Sequence, residues 1–593
     1  MKRKINLILI SSALTLGLSS CLFQDDLPGS ELTSSSKEGS SVVYVGKADT
    51  INYKHPAKTQ AGLQSALAEM EKIALLGQLN TAQFAMRGGK DGNIPGPHQY
   101  QFQFSLEIDN YAGYMCLPQR FGGRMPSTYY NFDNFNGGAA GSFISIKNSI
   151  VPILNHPQID SIPEIKAFAL LIYSYSSQEM TDIYGPFPYA DYKANKQTAP
   201  FTYNSVESIY KTIVNNLDTI VACIDHFESQ PSWYQEAVKG ILQTNDLITS
   251  FENRDIKNWK KLANSLKLRM AMHIVKIDSK LAKKWAEEAV QSGVIDSNEA
   301  QAKLDPLTFG FSHPLATISN IWNDTRLNAS LESIMKSLNH PYLAFIFDKN
   351  TDRIYNKNDD NKFLEKESKI VGLRSGILML EGQNYEANFR VAYSRVNELN
   401  ISTTPLYIMK YAEVLFLRAE GALRGWNMGG SAQSFYEQGI KDAFVGEAFN
   451  DIYQNVQQQY MAQDKATDFT YEDPWNPRYN RPSLTKIGVK WNEGEDKETK
   501  LEKIITQKYI ANFPYSFEAW TDLRRTGYPK IFPVLRDEGD GSIAAGDIIR
   551  RIPFPGTGQP SVQADVDKTG IPALGGPDKQ GTRLWWDAAV GNF

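Results

Sequence analysis

Apolar residues along most of the chain recur at steps of three and four, with polar residues between them. In "PLYIMKYAEVLFLRAEGALRGW", Ile408, Tyr411, Leu415, Ala419 and Ala422 form one such stripe, which predicts an amphipathic helix. Thr403 and Thr404 ahead of Pro405 read as its cap, with the proline in the first turn. "NMGGS" then breaks the period, and "AQSFYEQGIKDAF" resumes it with Ala432, Tyr436, Gly439 and Ile440. The two segments form an antiparallel pair of helical-repeat length. A second pair is "NWKKLANSLKLRMAMHIVKI" and "KLAKKWAEEAVQSGVI", broken at Asp278-Ser279. Leu262, Leu266, Met270 and Ile274 stripe its first helix; Trp285 and Ala289 lie on the second. "PEIKAFALLIYSYSSQEMTDIYG" and "SVESIYKTIVNNLDTIV", separated by a Pro-rich loop, make a looser third. Each pair is too small to bury its own apolar face, so the pairs must pack together into a scaffold.

The helical pattern is interrupted by long insertions rich in Gly, Asn and aromatics, at 111–142, 305–328, 350–397 and 460–502. Loops of that length inside a folded protein are commonly functional or disordered, and the aromatic content argues against disorder. The 593 residues include 29 Tyr, 29 Phe and 10 Trp, many of them in these polar surroundings. By length alone the chain holds roughly three to five domains or one large helical assembly. A net charge of −4 gives no electrostatic case for nucleic acid.

The N-terminus departs from this pattern. Lys2, Arg3 and Lys4 precede an apolar run from Ile5 to Leu18, the order of a secretory signal. Asn6, Ser11, Ser12 and Thr15 interrupt that run, which falls short of the about 20 apolar residues a membrane span needs. Leu18-Ser19-Ser20-Cys21 resembles a bacterial lipobox, in which the cysteine thiol forms a thioether to diacylglycerol and becomes the new N-terminus. Residues 1–20 are therefore expected to be cleaved and Cys21 to be lipidated; labelling by palmitate would report it. Each buried methylene contributes about 0.8 kcal/mol, and two or three acyl chains hold firmly where one is marginal. Residues 21–41, rich in Ser, Gly and acidic groups, read as a flexible tether with a reach on the order of 25 Å. Asp25 and Asp26 behind the cysteine match a sorting signal for the outer face of the outer membrane. Cys116 and Cys223 are the only other cysteines, and a bridge between them stays open.

Compact catalytic signatures are missing: the sequence has no H-E-x-x-H, G-x-S-x-G, P-loop or C-x-x-C. Its seven histidines are scattered without ligand spacing, and His273 reads as a core or solvated side chain. Glu413 and Glu420 lie two helical turns apart, roughly 10 Å along the axis, wider than glycosidase pairs usually are. They read as scaffold or surface carboxylates with Arg418 and Arg424 as partners. "DNFNGG" at 133–138 offers oxygen side chains for a structural calcium, but it lacks the EF-hand spacing and closing glutamate, so a turn is the plainer reading. No cofactor is expected.

The insertions offer binding chemistry instead. Arg124, Tyr129, Tyr130, Asn131, Phe132 and Phe135 in "FGGRMPSTYYNFDNFNGG" set flat apolar faces beside amide and guanidinium donors. A sugar ring has the complementary duality, an apolar C–H face with hydroxyls around its edge. Trp322 in "SNIWNDTR", with Asn320 and Asn323 beside it, makes a second setting of this kind. The competing reading is that these aromatics simply close the loops over the scaffold.

The tail is more specific. "IITQKYIANFPYSFEAWTDLRRTGYPKIFP", "IIRRIPFP" and "TRLWWD" closely resemble the C-terminal signature of the SusD/RagB family, nutrient-binding outer-membrane lipoproteins. "SSQEMTDIYGPFPYAD", "NWKKLANSLKLRMAMHI" and "VGLRSG" follow the family order, and the resemblance covers essentially all of 42–593. It implies a mostly α fold, with four tetratricopeptide-like hairpins as the scaffold of a single domain and a loop-rich region carrying the ligand site. It also implies a SusC-type TonB-dependent barrel transporter as partner, with the lipoprotein as a lid that faces the cell exterior and delivers nutrient without making or breaking a bond. After "RRIPFP" this chain continues "GTGQPS" where the family often has a glutamate and an asparagine. Since the family's ligand loops vary most, Arg124, Tyr129, Tyr130, Asn131, Phe132, Trp322 and Asn323 are candidates from chemistry alone. Three functions follow from these observations: an oligosaccharide-binding lipoprotein, a RagB-like peptide binder, and a surface glycoside hydrolase. The last needs two carboxylates about 5 to 9.5 Å apart on facing elements.

Overall fold

The computed structural model describes residues 51–119, 137–249, 255–350, 353–355, 363–365, 368–378, 390–536, 539–544 and 546–593. The signal segment, Cys21 and the tether lie outside the described residues. So do Arg124, Tyr129, Tyr130, Asn131, Phe132, Phe135 and most of the 133–138 turn.

The fold is mostly helical, and the hairpins stand where the periodicity puts them. Ile256–His273 and Ser279–Ser292 pack against each other. Asp278, at the break between them, caps the second helix by accepting the Leu281 N–H at 2.9 Å, one of the orphan donors every helix start leaves. Leu262, Leu266 and Met270 face Trp285 and Ala289 in the core. Pro163–Tyr184 is buried along its whole length and forms the spine of the scaffold, in contact with Gly138–Leu154 and Val206–Phe227. Two of its buried carboxylates are bonded by tyrosines: the Tyr234 hydroxyl donates to Glu164 at 2.5 Å, and Tyr515 donates to Glu179 at 2.8 Å. One hydrophobic cluster runs through these helices from Ile51 to Trp586. Among the described residues no helix is long and apolar enough to cross a membrane.

One helix starts later than its stripe predicts. Leu406–Met409 is a strand, antiparallel to Ala302–Leu304, and the helix runs only over Tyr411–Leu423. Arg87 donates to the Tyr407 carbonyl at 2.7 Å and Tyr175 to that of Ile408 at 2.5 Å, so buried side chains hold these backbone groups extended. Thr403 and Thr404 do not cap this helix. They end the preceding one, Glu398–Ser402, where Thr404 donates to the Asn400 carbonyl at 3.3 Å. The 305–328 insertion likewise contains helices, Pro306–Phe309 and Pro314–Asn320.

The family-like tail forms two helices, Lys497–Asn512 and Ser516–Thr526, the second buried throughout. Its charges close a network with the scaffold. Arg525 donates to Glu420 at 2.7 and 2.9 Å and to Asp522 at 2.8 Å, while Lys508 bridges Glu518 at 2.7 Å and Asp522 at 2.9 Å. Arg524 lies over the Trp520 ring, 3.6 Å from its centroid. Glu413 and Glu420 are therefore buried scaffold carboxylates. Arg424 does bond Glu420, at 2.9 Å, but the partner of Glu413 is Arg269, at 2.7 Å, and Arg418 instead donates to the Met428 carbonyl. His273 is a core residue between Tyr210, at 2.9 Å, and Glu518, at 3.2 Å. Burial alone would lower its pKa; Glu518 and Asp182 outweigh that and raise it. Cys116 and Cys223 are both buried, and no disulfide joins them.

Candidate functional site at the Trp322 turn

Pro314–Asn320 begins with proline in its first turn and with the His313 ring nitrogen accepting the Leu315 N–H at 3.1 Å. Beyond it the chain folds back tightly. Trp322 donates its backbone N–H to Thr317 at 3.0 Å and Asp324 donates to Ile318 at 2.9 Å. Between them Asn323 takes φ of 60°, a left-handed conformation that asparagine tolerates better than most residues. The turn leaves Ile321 exposed and Trp322 half-buried, its ring packed against the core on one side. The Asn323 side chain is committed to the turn itself, accepting from Arg326 at 3.0 Å and donating to Ile321 at 3.4 Å.

Two buried residues after Asn323 tie this turn to the insertions. Asp324 accepts hydrogen bonds from Gln101, at 2.7 Å, and from Gln119. Burial pushes its carboxyl up to about 6 against the pull of Gln101, Arg390 and Arg326. Arg326 spends its guanidinium on the carbonyls of Arg390, Thr325 and Ser319, at 2.8, 2.7 and 3.2 Å. Burial, with Arg395 and Arg390 nearby, pulls it down to about 9. Neither residue stands out in the sequence, although both lie in the same "SNIWNDTR" stretch as Trp322; nothing marks Gln101 or Gln119.

These contacts place the roots of two segments at the turn. Gln119 immediately precedes 120–136, and Arg390 immediately follows 379–389. Met115–Cys116 pairs antiparallel with Arg326–Leu327, so the chain reaches Gln119 already held beside Asp324. On the far side of 120–136, Gly138 opens a helix so close to the π-helical Gln101–Ser105 that an added Cβ would lie 2.0 Å from the Phe102 carbonyl oxygen. Ile377 and Ala392, near the two ends of 379–389, pack with Cys116 and Tyr393, flanked by half-buried Trp475 and Tyr479. The structure thus brings Trp322 and Asn323 to the anchor of the segment that carries Arg124, Tyr129, Tyr130, Asn131 and Phe132, residues that lie outside the description. Among the described residues no group of three or more His, Cys, Asp or Glu side chains is arranged to hold a metal ion.

A helical-hairpin scaffold with the roots of two insertions held at one turn defines a tetratricopeptide-like fold. A sequence model of the SusD-like family, described as Susd and RagB outer membrane lipoprotein, matches residues 51–587, and the chain belongs to that family. Among solved structures it is similar to a chitin-binding SusD homolog from Flavobacterium johnsoniae, at 32% identity and a TM-score of 0.72, covering 90% of this chain and 100% of that one. Two proteins from Bacteroides thetaiotaomicron, a SusD homolog and a SusD-like protein, are each 27% identical. They cover 87% of this chain and 99% and 100% of their own, with TM-scores of 0.71 and 0.72. Curated proteins offered no match.

Proposed function

We propose that this protein is a lipid-anchored glycan-binding protein of the outer membrane, facing the exterior and taking a chitin-type oligosaccharide. The observation that carries the reading is the likeness to the chitin-binding Flavobacterium homolog over nine-tenths of the chain. The Trp322 turn supports it, because a half-buried indole beside the root of an aromatic-rich segment is the arrangement that a sugar face needs. In this reading Cys21 carries the lipid, residues 1–20 are removed and 21–41 tether the body. Arg124, Tyr129, Tyr130, Asn131, Phe132 and Trp322 contact the glycan, and Asn323 shapes the turn beneath it. A SusC-type TonB-dependent barrel receives the ligand, and the protein itself makes or breaks no bond.

Calorimetry with N-acetylglucosamine oligomers tests the binding. Trp322→Ala and Tyr130→Ala are each expected to weaken it about tenfold, the scale of one lost aromatic contact, with the melting temperature unchanged. Unchanged affinity in both variants, or selective binding of peptides, would sink the glycan reading in favour of a RagB-like one. Product formation from the oligomer would sink the non-enzymatic assignment. Labelled palmitate on the wild type and not on Cys21→Ala checks the anchor, and co-purification of a barrel transporter from native membranes checks the partner.

A further inference from the structure

Two arginines, Arg390 and Arg395, are fastened to the turn that carries Trp322. Leu327 donates its backbone N–H to the Ser394 carbonyl at 2.9 Å. Val396 donates to Ser319 Oγ at 3.2 Å, and its carbonyl accepts from Asn320 Nδ2 at 3.1 Å. Ser394 and Val396 are buried against the turn, so Arg395 between them is left exposed. Arg390 is half-buried and held by its carbonyl, which accepts from Arg326 Nε at 2.8 Å. The same Arg326 guanidinium donates to Asn323 Oδ1 at 3.0 Å, one residue beyond Trp322.

The charges of this pair are unanswered. Among the described residues neither Arg390 nor Arg395 makes an ion pair or a side-chain hydrogen bond, and Arg390 Nε is buried without a partner. Buried arginines of the scaffold meet carboxylates instead: Arg87 with Glu179, Arg269 with Glu413, Arg525 with Glu420 and Arg551 with Asp578. The carboxylates beside the turn are engaged by amides. Asp324 accepts from Gln101 and Gln119, and Asp348, whose N–H donates to the Arg395 carbonyl at 2.9 Å, accepts from the Asn397 amide at 2.8 Å. Burial, and then the like charges of Arg395 and Arg390, pull Arg326 down, so the three guanidiniums feel one another's fields. A buried donor without an acceptor is costly, and so are like charges kept together. An anion at the turn relieves both.

We propose that Arg390 and Arg395 form an anion subsite, so that the glycan taken at the Trp322 turn is an acidic one. A sugar ring lies on the Trp322 indole, and its carboxylate or sulfate ester accepts from Arg390 Nε and from the Arg395 guanidinium. Guanidinium suits either anion, because its planar donors match their paired oxygens and it is more weakly hydrated than an ammonium. Trp322 as a glycan contact is the premise, and the arginines add the ligand's charge to it. An acidic peptide is the competing guest, but the half-buried indole beside the arginines suits the C–H face of a sugar better.

Calorimetry with matched pairs separates the charge from the sugar. N-acetylglucosamine oligomers are compared with their sulfated form, and hyaluronan oligomers with their carboxyl-reduced form. At least one anionic member is expected to bind about tenfold tighter than its neutral twin, a margin that shrinks as salt is raised. The pair that shows the margin names the anion. Arg390→Gln combined with Arg395→Gln should erase the margin and leave the neutral twin's affinity unmoved. The melting temperature should stay at or above that of the wild type, since only unpaired like charges are removed. Equal affinity within both pairs overturns the inference, as does a margin that survives the double variant, or binding of a polyglutamate peptide and of no oligomer. If both pairs bind without a margin and Trp322→Ala weakens every member, only this inference fails. If the margin is present and Trp322→Ala moves no affinity, the earlier reading of the turn fails while the anion subsite stands.

Discussion

The tail network and the Trp322 turn both bury carboxylates and guanidiniums at hydrogen-bond distance, and they tune them in opposite directions. In the network Glu420 meets Arg525 and Arg424, which overcome its burial and hold it down to about 2. At the turn Asp324 meets two amides, and burial wins, so the carboxyl rises to about 6. The guanidiniums follow suit. Two carboxylates raise Arg525 against its burial, whereas Arg326, facing carbonyls, is pulled down to about 9. The network is therefore a closed set of charges, complete within the scaffold. The turn is a set of dipoles whose job is to hold chain segments.

The largest expected difference is in stability. Arg525→Met strips Glu420 and Asp522 of a shared buried partner and should cost about 3–5 kcal/mol in urea denaturation. Asp324→Asn should cost under about 1 kcal/mol at neutral pH, because burial already disfavours the ionised form. Equal losses would erase the contrast.

The pH dependence should split the same way. Glu420, lowered in the fold from 4.5 to about 2, contributes stability that is complete above its unfolded value and drains as pH falls toward 2. Asp324, raised from 3.8 to about 6, does the reverse, costing stability as pH rises through that window. At about 1.4 kcal/mol per unit, each amounts to on the order of 3 kcal/mol. Denaturation across pH 2–7 should lose the acid limb in Glu420→Gln and the pH 4–6 slope in Asp324→Asn.

Smaller effects sharpen the geometry. Gly138→Ala forces the loop root off the Phe102 carbonyl and should cost about 1–3 kcal/mol, while Gly240→Ala, in open space on a helix, should gain up to about 1 kcal/mol. The exposed Lys211–Glu207 pair is the floor: Lys211→Ala should move stability by less than about 0.5 kcal/mol.

The same contrast explains what the sequence made legible. The hairpins at 163–227 and 256–292 could be read because burial repeats along a helix and leaves a stripe. The tail could be recognised because a closed charge network demands particular residues in particular order. The strand at Leu406–Met409 could not be read, since its apolar spacing fits a helix and the side chains that hold it extended, Arg87 and Tyr175, come from far along the chain. Trp322 stood out by its aromatic ring among amides. Asp324 did not, because its role depends on Gln101 and Gln119, more than two hundred residues away. The bond from Phe201 to Asp565 is equally invisible, as it joins a Pro-rich loop to the tail.

The clasp around 120–136 has a practical corollary. Gln119 on Asp324 at one end and Gly138 on Phe102 at the other fasten the flanks of that segment through groups that belong to the flanks. Its interior can lengthen at only about 0.6 kcal/mol per doubling. The segment therefore behaves as a cassette on a fixed chassis. If the proposed reading of Arg124 to Phe132 as glycan contacts holds, a chimera that exchanges it with a relative between Gln119 and Gly138 is expected to change ligand preference and leave the chassis intact.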